Sequence, residues 1–373
     1  MNTNNFRIDP HSFTKERPLG VSGFMRVKND AEFLIVSVES CLPALDELVI
    51  VYNGCTDESP KIIQDLTELY PNKIKAYEYK PCIYSHNLSK EEYDFIKSQD
   101  AFSPHLLSSY YNYALSKTSY KYAMKIDADQ IYDTNELIKL CDAYREQKSI
   151  FINPFKLICF IYVYLALILF KKSSFKLPCI SRKMFSIYRD TLVKLVAKYK
   201  IGVFLSGINM IYIGDKWVTP LGHKMDSGIN ILPPYNGLTD HPIFPVSEKI
   251  YFEPIEMESY NKLNAFSYTI IEQFVGLKRC LPYGFMWVHL NASRKSIINK
   301  IASYYAVDSK RFTLSNTFIK TKSSELSITT NTDILSAQNK RLYSFLQDSM
   351  DTLFFEEYII KYSIENGVLI QKN

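Results

Sequence analysis

The sequence predicts an α/β protein whose mostly parallel sheet is flanked by helices. Three short apolar runs typical of strands, "VSGFMRV", "DELVIVYNG" and "NKIKAYEYK", alternate with runs whose apolar residues recur at helical spacing. Strands that alternate with helices form βαβ units, in which the strands are parallel. With 373 residues, of which 47% are apolar and 22% charged, the chain can bury a sizeable core and has the composition of an ordinary folded protein.

The N-terminal elements follow from this alternation. Residues 1–20 form a polar arm without the apolar segment of a secretory signal, so we expect none. The first strand begins at Val21, and "AEFLIVSVESCLP" is the first helix, ended by Pro43. The second helix lies in "CTDESPKIIQDLTELYP", with Pro60 in its first turn.

The next elements place one acidic motif at the edge of the sheet. Residues 81–105 are predicted to be a polar connection, followed by the helix "LLSSYYNYALSKTS", the strand "YKYAMKI" and the helix "DTNELIKLCDAYREQK". The stretch "MKIDADQIYD" therefore lies at the carboxyl end of a parallel strand, where open α/β sheets bind their ligands. These elements define an N-terminal lobe over residues 21–140.

Residues 150–170, "IFINPFKLICFIYVYLALILF", are the most apolar part of the chain, and Lys171 and Lys172 follow them. Three arrangements remain open: a buried helix or strand pair, a membrane-surface contact over residues 150–172 with the lysines on anionic lipid, and a membrane span. The unbroken apolar core of 14 residues is short for a span.

The remaining sequence is less regular. Residues 141–299 form a second region, and their part from 201 to 250 is rich in Gly, Pro and Asn, as binding loops often are. We predict a helix in "EMESYNKLNAFSYTIIEQFVGLKR" and a strand with a basic turn in "YGFMWVHLNASRKS". Residues 300–373 are predicted to form a helical C-terminal region.

The motif Asp127-x-Asp129 has a chemical logic. Alternate residues of an extended segment can turn two carboxylates towards one divalent cation, which also accepts diphosphate oxygens. The cation then neutralises a leaving nucleoside diphosphate. By itself the triplet is a weak signal, because a solvated loop after a strand often carries acids.

A second turn strengthens the interpretation. The segment "VYNGCTD" resembles the "DDGSTD"-like turn of family-2-type glycosyltransferases with the GT-A fold, in which this turn contacts uracil or ribose. The chain departs from that pattern, with Tyr52 and Asn53 in place of the two acids. Asn53 can still donate to and accept from a uracil edge.

A closer resemblance covers residues 22–140. The segments "FMRVKNDAEFLIVSVESCLPALDELVIVYNGCTDESPKII", "SSYYNYAL" and "MKIDADQIYD" are similar to the bacterial β-1,4-N-acetylgalactosaminyltransferases of lipooligosaccharide assembly. The resemblance implies a GT-A-like fold and a metal-dependent, inverting transfer of GalNAc from UDP-GalNAc to a surface glycan, with Mn²⁺ or Mg²⁺ as the cofactor. It also implies a glycan or glycolipid acceptor, with residues 21–140 as the nucleotide-sugar-binding lobe and residues 141–299 as the acceptor-binding region.

The resemblance implies roles for individual residues. The donor nucleotide would be contacted by Arg26, Asn29, Asn53, Asp57, Asn112 and Asp127. The metal would be held by Asp127, Asp129 and His289, of which His289 lies in the similarly spaced "HLNASRK". Arg294 and Lys295 of that segment would lie near the diphosphate. The other histidines are weaker candidates for a metal ligand: His11, His86, His105, His223 and His241.

An inverting transfer also needs a base for the acceptor hydroxyl. Candidates are Asp226, Asp240, Glu256 and Glu258, and we select Asp226 because "GHKMDSG" is flanked by glycines and follows a Trp-containing segment that could stack a sugar ring.

Other classes of protein fit less well. A net charge of +5 is too small to indicate nucleic-acid binding, and seven scattered Cys without a CxxC pair indicate a reducing compartment. We therefore expect a cytoplasmic protein, with contact to the inner membrane left open. Four alternatives also remain open: transfer of Glc, Gal or GlcNAc, a lipid-linked acceptor, a non-catalytic glycan-binding or assembly protein, and a helical-hairpin membrane protein.

Overall fold

The computed structural model describes most of the chain. The described residues are 4–146, 151–172, 180–222, 224–226, 229–231, 234–237, 241–256, 268–277, 280–328 and 337–372. Strands and helices are numbered below in chain order along these residues.

A mixed sheet forms the centre of the molecule. In spatial order its strands are β3 (Ile74–Glu78), β2 (Glu47–Tyr52), β1 (Val21–Val27), β4 (Tyr122–Asp127), β12 (Pro242–Pro245), β6 (Val203–Asn209), β15 (Leu281–His289) and β5 (Gln130–Tyr132), with β11 (Tyr235–Asn236) beside β6. The pairs from β3 to β4 are parallel, β12 is antiparallel to both neighbours, and β15 is parallel to β6. The predicted α/β class is confirmed, with its parallel part in the N-terminal half.

Strand β1 shows why the N-terminal strands are apolar on both faces. Met25 packs in the core on one side of the sheet and Phe24 in the core on the other side, and both are fully buried. A parallel strand covered on both faces has a continuous apolar sequence rather than an alternating one. The register places Arg26 of β1 beside Asp127 of β4, so both side chains lie at the carboxyl edge.

Helices surround this sheet. They are α1 (Leu34–Cys41), α2 (Ser59–Leu69), α3 (Lys90–Lys97), α4 (Leu107–Ser116), α5 (Thr134–Arg145), α6 (Pro154–Lys172) and α7 (Arg182–Tyr199). The helices predicted around the first strands and β4 correspond to α1, α2, α4 and α5. Helix α3 lies in the predicted polar connection, where Ser89 and Glu92 form a reciprocal capping box.

The helix predicted in "EMESYNKLNAFSYTIIEQFVGLKR" is wrong where the structure describes the segment. Strand β14 (Ile270–Val275) pairs with β13 (Tyr251–Glu256) in an antiparallel hairpin. Phe274 of this hairpin lies 4.6 Å, between ring centroids, from Phe244 of β12. This long-range aromatic packing and the hairpin pairing outweigh the local helical spacing. Residues 257–267 of the segment lie outside the described residues.

Smaller elements complete the chain. The strands are β7 (Ile211–Ile213), β8 (Lys216–Pro220), β9 (Lys224–Asp226), β10 (Ile229–Ile231), β16 (Phe312–Leu314), β17 (Tyr362–Glu365) and β18 (Val368–Gln371). The helices are α8 (Ile298–Val307), α9 (Ser315–Lys320), α10 (Ala337–Asp348) and α11 (Leu353–Lys361). The predicted helical C-terminal region thus also contains β16 and the antiparallel hairpin β17–β18.

The apolar segment after residue 150 forms α6. Its inner side is buried, and Phe160 stacks on Tyr188 of α7 at 5.0 Å between ring centroids. Its outer side is apolar but exposed, with Phe155 at 82%, Ile158 at 65% and Leu165 at 50%. Within the residues that the structure describes, no helix is both long enough and apolar enough to cross a bilayer.

Candidate active site

The Asp127–Asp129 turn connects two strands that are far apart in the sheet. Asp127 ends β4, and Gln130 begins β5 at the opposite end of the spatial strand order. The hydroxyl of Ser37 on α1 donates to the backbone oxygen of Asp127 at 3.1 Å. The backbone oxygen of Asp129 accepts a hydrogen bond of 2.9 Å from the amide of Leu290, directly after β15. The turn is therefore held against two other segments.

Asp129 is surrounded by basic groups from the segment after β15. Nη2 of Arg294 donates to Oδ2 of Asp129 at 2.8 Å, and Nε2 of His289 lies 3.5 Å from its Oδ1. Burial raises the pKa of the Asp129 carboxyl, but His289 and Arg294 outweigh burial and hold that pKa at about 2. Asp129 is therefore ionised at any physiological pH.

The hydrogen bonds of His289 fix its neutral tautomer. Nδ1 lies 2.6 Å from Oδ1 of Asn209, whose Nδ2 donates to the Tyr235 carbonyl at 3.4 Å. An amide oxygen only accepts, so Nδ1 carries the hydrogen. Nε2 then faces Asp129 either as an N–H donor, when the ring is protonated, or as a lone pair, when the ring is neutral. A lone pair and a carboxylate oxygen repel each other unless a proton or a cation lies between them. This donor pair fits a divalent cation.

Asp127 has a different set of partners. Nε2 of His241 lies 3.0 Å from its Oδ2, Nε2 of Gln130 donates to the same oxygen at 3.4 Å, and Nζ of Lys125 is 3.7 Å from its Oδ1. Burial raises the pKa of Asp127, but Lys125 and His241 outweigh it, and the pKa lies well below its usual range. Gln130 also donates to Oδ1 of Asn236 at 3.3 Å, and it is oriented by the Tyr132 hydroxyl at 2.5 Å.

The two carboxylates therefore have separate roles in this arrangement. Among the described residues, no three or more His, Cys, Asp and Glu side chains are placed to hold a metal by themselves. The predicted trio of Asp127, Asp129 and His289 is brought to one edge, but Asp127 is paired with His241. A nucleotide-bound cation needs only one or two protein ligands, because phosphate oxygens and water supply the rest. Asp129 and His289 meet that requirement.

Arg26 lies beside the acidic turn on the face covered by α4. Its guanidinium carbon is 3.8 Å from the ring centre of Tyr111, and its Nη2 donates to the hydroxyl of the same tyrosine. Burial lowers the pKa of Arg26, but Tyr111 and Glu272 of β14 outweigh burial and raise it. Nζ of Lys125 lies 3.7 Å from Asp127 and 4.0 Å from Glu272, so this lysine connects the two carboxylates.

Asn29, Asn53 and Asp57 shape the turns at the ends of β1 and β2. Asn29 has a positive φ of 60°, and its Oδ1 accepts a hydrogen bond from the Thr56 amide at 2.7 Å. Nδ2 of Asn53 donates to the carbonyls of Tyr79 and Pro81 at 2.5 and 2.9 Å, which leaves its amide oxygen for a ligand. Burial raises the pKa of Asp57, but hydrogen bonds from Ser59 and Ala31 outweigh it, so the pKa is lowered.

Two of the predicted donor contacts are engaged elsewhere. The amide of Asn112 is 2% exposed and pairs at both ends with the backbone of Phe252, at 2.9 and 3.0 Å. This pairing fixes β13 on α4. Lys295 is exposed, its stem lies beside Gly367 in the β17–β18 turn, and its backbone amide donates to Glu32 at 2.8 Å. Arg294, in contrast, reaches the acidic turn.

The candidate bases are only partly within the described structure. Asp226 ends β9 and is paired through its backbone with Ile229 of β10, but its side chain lies outside the described part of the chain. Asp240 and Glu258 also lie outside the described residues. Glu256 accepts a hydrogen bond of 2.6 Å from Tyr93 of α3, so its carboxylate serves the hairpin contact.

Sequence reasoning missed several residues of this edge. His241 had a weak claim, yet it contacts Asp127, and its ring lies 4.7 Å from that of Trp287. No pattern in the sequence predicted a role in the site for Asn209 or Gln130. His241 does precede the short apolar strand β12, but a single histidine before a strand carries no functional signal in one sequence.

The family comparison defines the class of protein, a glycosyltransferase, and the α/β sheet with the Asp127–Asp129 turn at its carboxyl edge is compatible with that class. The chain belongs to the family described as "Beta-1,4-N-acetylgalactosaminyltransferase (CgtA)", whose family model matches residues 2–197, just over half of the 373 residues. The resemblance predicted from residues 22–140 is confirmed. No curated protein sequence matches the chain.

Solved structures show weaker similarities. Glucosyl-3-phosphoglycerate synthase from Mycobacterium tuberculosis, in complex with Mn²⁺, UDP and glucosyl-3-phosphoglycerate, is 15% identical, with a TM-score of 0.22 over 36% of this chain and 42% of that chain. S. aureus TarS 1-349 in complex with UDP-GlcNAc is 11% identical, with a TM-score of 0.27 over 95% and 97%. These TM-scores are too low for any residue-by-residue correspondence.

Proposed function

We propose that the protein transfers a sugar, GalNAc, from UDP-GalNAc to a hydroxyl of a bacterial surface glycan, with inversion and with a divalent metal ion. Membership in the family supports the reaction and the sugar. The observation that carries the metal requirement is the pair formed by Asp129 and His289, whose Nε2 lies 3.5 Å from the carboxylate and can bind a cation when the ring is neutral. The mycobacterial synthase that resembles this chain was solved with Mn²⁺ and UDP, which supports the same donor class.

In this proposal each part of the edge has one task. Asp129 and His289 would hold the ion, which when bound neutralises charge on the leaving diphosphate. Arg294 keeps Asp129 ionised and in place, because it also donates to Asp30 and to the backbone oxygen of Asn29. The turn after β1 is thereby fixed to the acidic turn before the nucleotide arrives, and such preorganisation lowers the cost of binding.

The nucleoside would lie over the ends of β1 and β2. The amide oxygen of Asn53 accepts from the uracil edge, and Arg26 lies between this turn and Asp127. Asp226 remains our candidate for the base that takes the acceptor proton, at the end of β9 in the loops that precede β12. Asp226→Asn should then lower turnover and leave UDP binding unchanged.

The test is a pair of variants, Asp127→Asn and Asp129→Asn, assayed for UDP-sugar turnover and for Mn²⁺-dependent UDP binding by calorimetry. The matched control is Asp94→Asn, since that exposed aspartate on α3 pairs only with Lys90 at 3.3 Å. We expect Asp129→Asn to abolish the Mn²⁺ dependence of UDP binding. Unchanged turnover and unchanged UDP binding in both variants would leave only a non-catalytic glycan-binding role.

The sugar is tested separately. A thermal-shift panel of UDP-GalNAc, UDP-GlcNAc, UDP-Gal and UDP-Glc, each with and without Mn²⁺, should give the largest stabilisation with UDP-GalNAc and Mn²⁺. A larger shift with UDP-GlcNAc, the ligand in the TarS complex, would reassign the donor and keep the reaction class.

We also propose that α6 contacts a bilayer surface from one side. Its exposed apolar side is accompanied by exposed basic residues, Lys156 on the same helix and Arg182 and Lys183 at the start of α7, which complement anionic lipid.

The contact is tested with the double variant Phe155→Ser and Ile158→Ser, which should reduce co-sedimentation with vesicles that contain anionic lipid. Val307→Ser on α8, where the valine is 86% exposed, is the control. Equal sedimentation of both variants with these vesicles contradicts the contact.

A further inference from the structure

A cavity of about 500 Å³ lies away from the acidic turn, between the start of α5 and the C-terminal helix α11. Its walls come from α1, β5, α5, α7, β15, α11 and the start of β17. None of the residues that line it belongs to the Asp127–Asp129 edge. A volume of this size is typical of sites for small molecules and accommodates two sugar rings.

The chemistry of the wall is that of a sugar site. Phe354 and Tyr362 supply half-buried aromatic faces, and exposed Glu39, Asp351 and Glu357 supply carboxylates. Aromatic faces stack on the apolar faces of sugar rings, while carboxylates accept hydrogen bonds from hydroxyls. Acids outnumber bases in the wall, and the bases are paired: Arg189 and Lys139 with Glu136, and Lys361 with Glu357 at 2.7 Å. Such a wall disfavours phosphate and sialic acid.

The wall also contains buried polar atoms that lack partners. The Tyr358 hydroxyl and Nε of Arg189 are buried and have no hydrogen-bond partner in the described part of the chain. Tyr358 is 2% exposed as a residue, and an unpaired buried hydroxyl is unfavourable. Its ring lies 6.3 Å from that of Phe354, another residue of the wall. The wall therefore contains hydrogen-bonding groups that the protein itself does not use.

We propose that this cavity binds an uncharged segment of a glycan, as a second sugar site separate from the donor edge. The inference does not depend on the proposed donor or reaction, because the site is defined by its own residues. This second site extends the proposed function, because the protein would bind the glycan chain at a position away from the hydroxyl that reacts.

Strand β5 links the cavity to the acidic turn. Ile131 and Tyr132 line the cavity, and they directly follow Gln130, at a rise of about 3.3 Å per strand residue. The Tyr132 hydroxyl donates to Oε1 of Gln130, whose Nε2 donates to Asp127. Tyr132 thus connects the wall of the cavity to the partner of Asp127.

The experiment titrates lactose, as a neutral probe, into the full-length protein without any donor. Binding is followed by saturation-transfer NMR and by tryptophan fluorescence, because Trp217 lies 5.3 Å from Tyr358 between ring centroids. The variants are Glu39→Gln at the exposed rim and Phe354→Ala in the wall. Their controls are Glu68→Gln on α2 and Phe95→Ala on α3, where the phenylalanine is 42% exposed.

We expect saturable lactose binding that weakens about threefold in Glu39→Gln and about tenfold in Phe354→Ala, with no change in the two controls. 3′-Sialyllactose should bind at least about fivefold more weakly than lactose, because its carboxylate meets acidic side chains. Thermal melting checks that Phe354→Ala is folded. If Phe354→Ala is unfolded, Glu39→Gln alone is the test. Any one of three results overturns the proposal: no saturable binding of lactose, an unchanged lactose affinity in Glu39→Gln and in folded Phe354→Ala, or tighter binding of 3′-sialyllactose than of lactose. Because no donor is present, these results are independent of the turnover measured for Asp127 and Asp129 variants.

Discussion

Nε2 of His241 lies 3.0 Å from Oδ2 of Asp127, although 114 positions separate the two residues in the chain. His241 is 2% exposed, and no other described carboxylate forms an ion pair with it. We predict that His241→Ala lowers transferase turnover about tenfold to a hundredfold, because Asp127 loses the group that fixes its rotamer. His241→Gln, which keeps a donor, should retain more turnover than His241→Ala.

The control for that measurement is His105→Ala. Nδ1 of His105 lies 2.7 Å from a backbone oxygen, that of Cys82, so its loss removes no carboxylate partner. Equal losses of turnover in His105→Ala and His241→Ala would show that the effect arises from general destabilisation and not from Asp127.

Asn209 should control metal affinity without touching the metal. Its Oδ1 fixes the tautomer of His289, and loss of such a partner typically lowers metal affinity about tenfold to a hundredfold. We predict this loss for Asn209→Leu and its partial recovery in Asn209→Asp, which keeps an accepting oxygen. Electron paramagnetic resonance of free Mn²⁺ in the presence of UDP measures the affinity. Unchanged Mn²⁺ affinity in Asn209→Leu excludes His289 as a ligand oriented by Asn209.

Arg294 should be a strong determinant of stability. It is an ion-pair partner of both Asp30 and Asp129, whose side chains are 11% and 10% exposed. Removal of one partner from a buried ion pair costs about 3–5 kcal/mol, so Arg294→Ala should lower the free energy of unfolding by an amount of this order. Arg311→Ala is the control, since its pair with Asp308 is about half exposed and contributes about 0–1 kcal/mol. Urea unfolding measures both, and similar losses would contradict the difference in burial.

The pH dependence of stability should report Asp129. Its folded-state pKa of about 2 lies below the ordinary value of 3.8, so the ionised form stabilises the fold above pH 4 and this contribution declines as the pH falls towards 2. The shift corresponds to about 2.5 kcal/mol at pH 6, of which about 1 kcal/mol is lost by pH 3. Wild type should therefore lose about 1 kcal/mol more than Asp129→Asn between these pH values, in urea unfolding with EDTA present. Equal losses contradict the lowered pKa.

Local patterns predicted the N-terminal half of the molecule well. The alternation of apolar runs gave β1, β2, β3 and β4 with their helices, because each βαβ unit is encoded within a few tens of residues. The position of Asp127 and Asp129 at the carboxyl edge followed from the same alternation. The metal role proposed for these acids rests on their context, since the triplet alone is compatible with an ordinary loop.

The other half of the site could not be predicted for a physical reason. His241 and Asn209 make their site contacts across 114 and 80 positions of the chain, and a single sequence does not show which distant strands pair. Strand β14 was mistaken for part of a helix for the same reason: Phe274 is placed by aromatic packing against β12 and β13 and not by its neighbours in sequence.

The arrangement of the strands has a consequence for how the protein becomes active during its synthesis. The segment that matches the family model ends at residue 197, whereas His241, His289 and Arg294 lie beyond it. A nascent chain that has released only this segment from the ribosome carries the two acids without the groups that orient them. Chimeras that exchange the N-terminal half between relatives must therefore also exchange the segments around 241 and 289–294 to keep a working site.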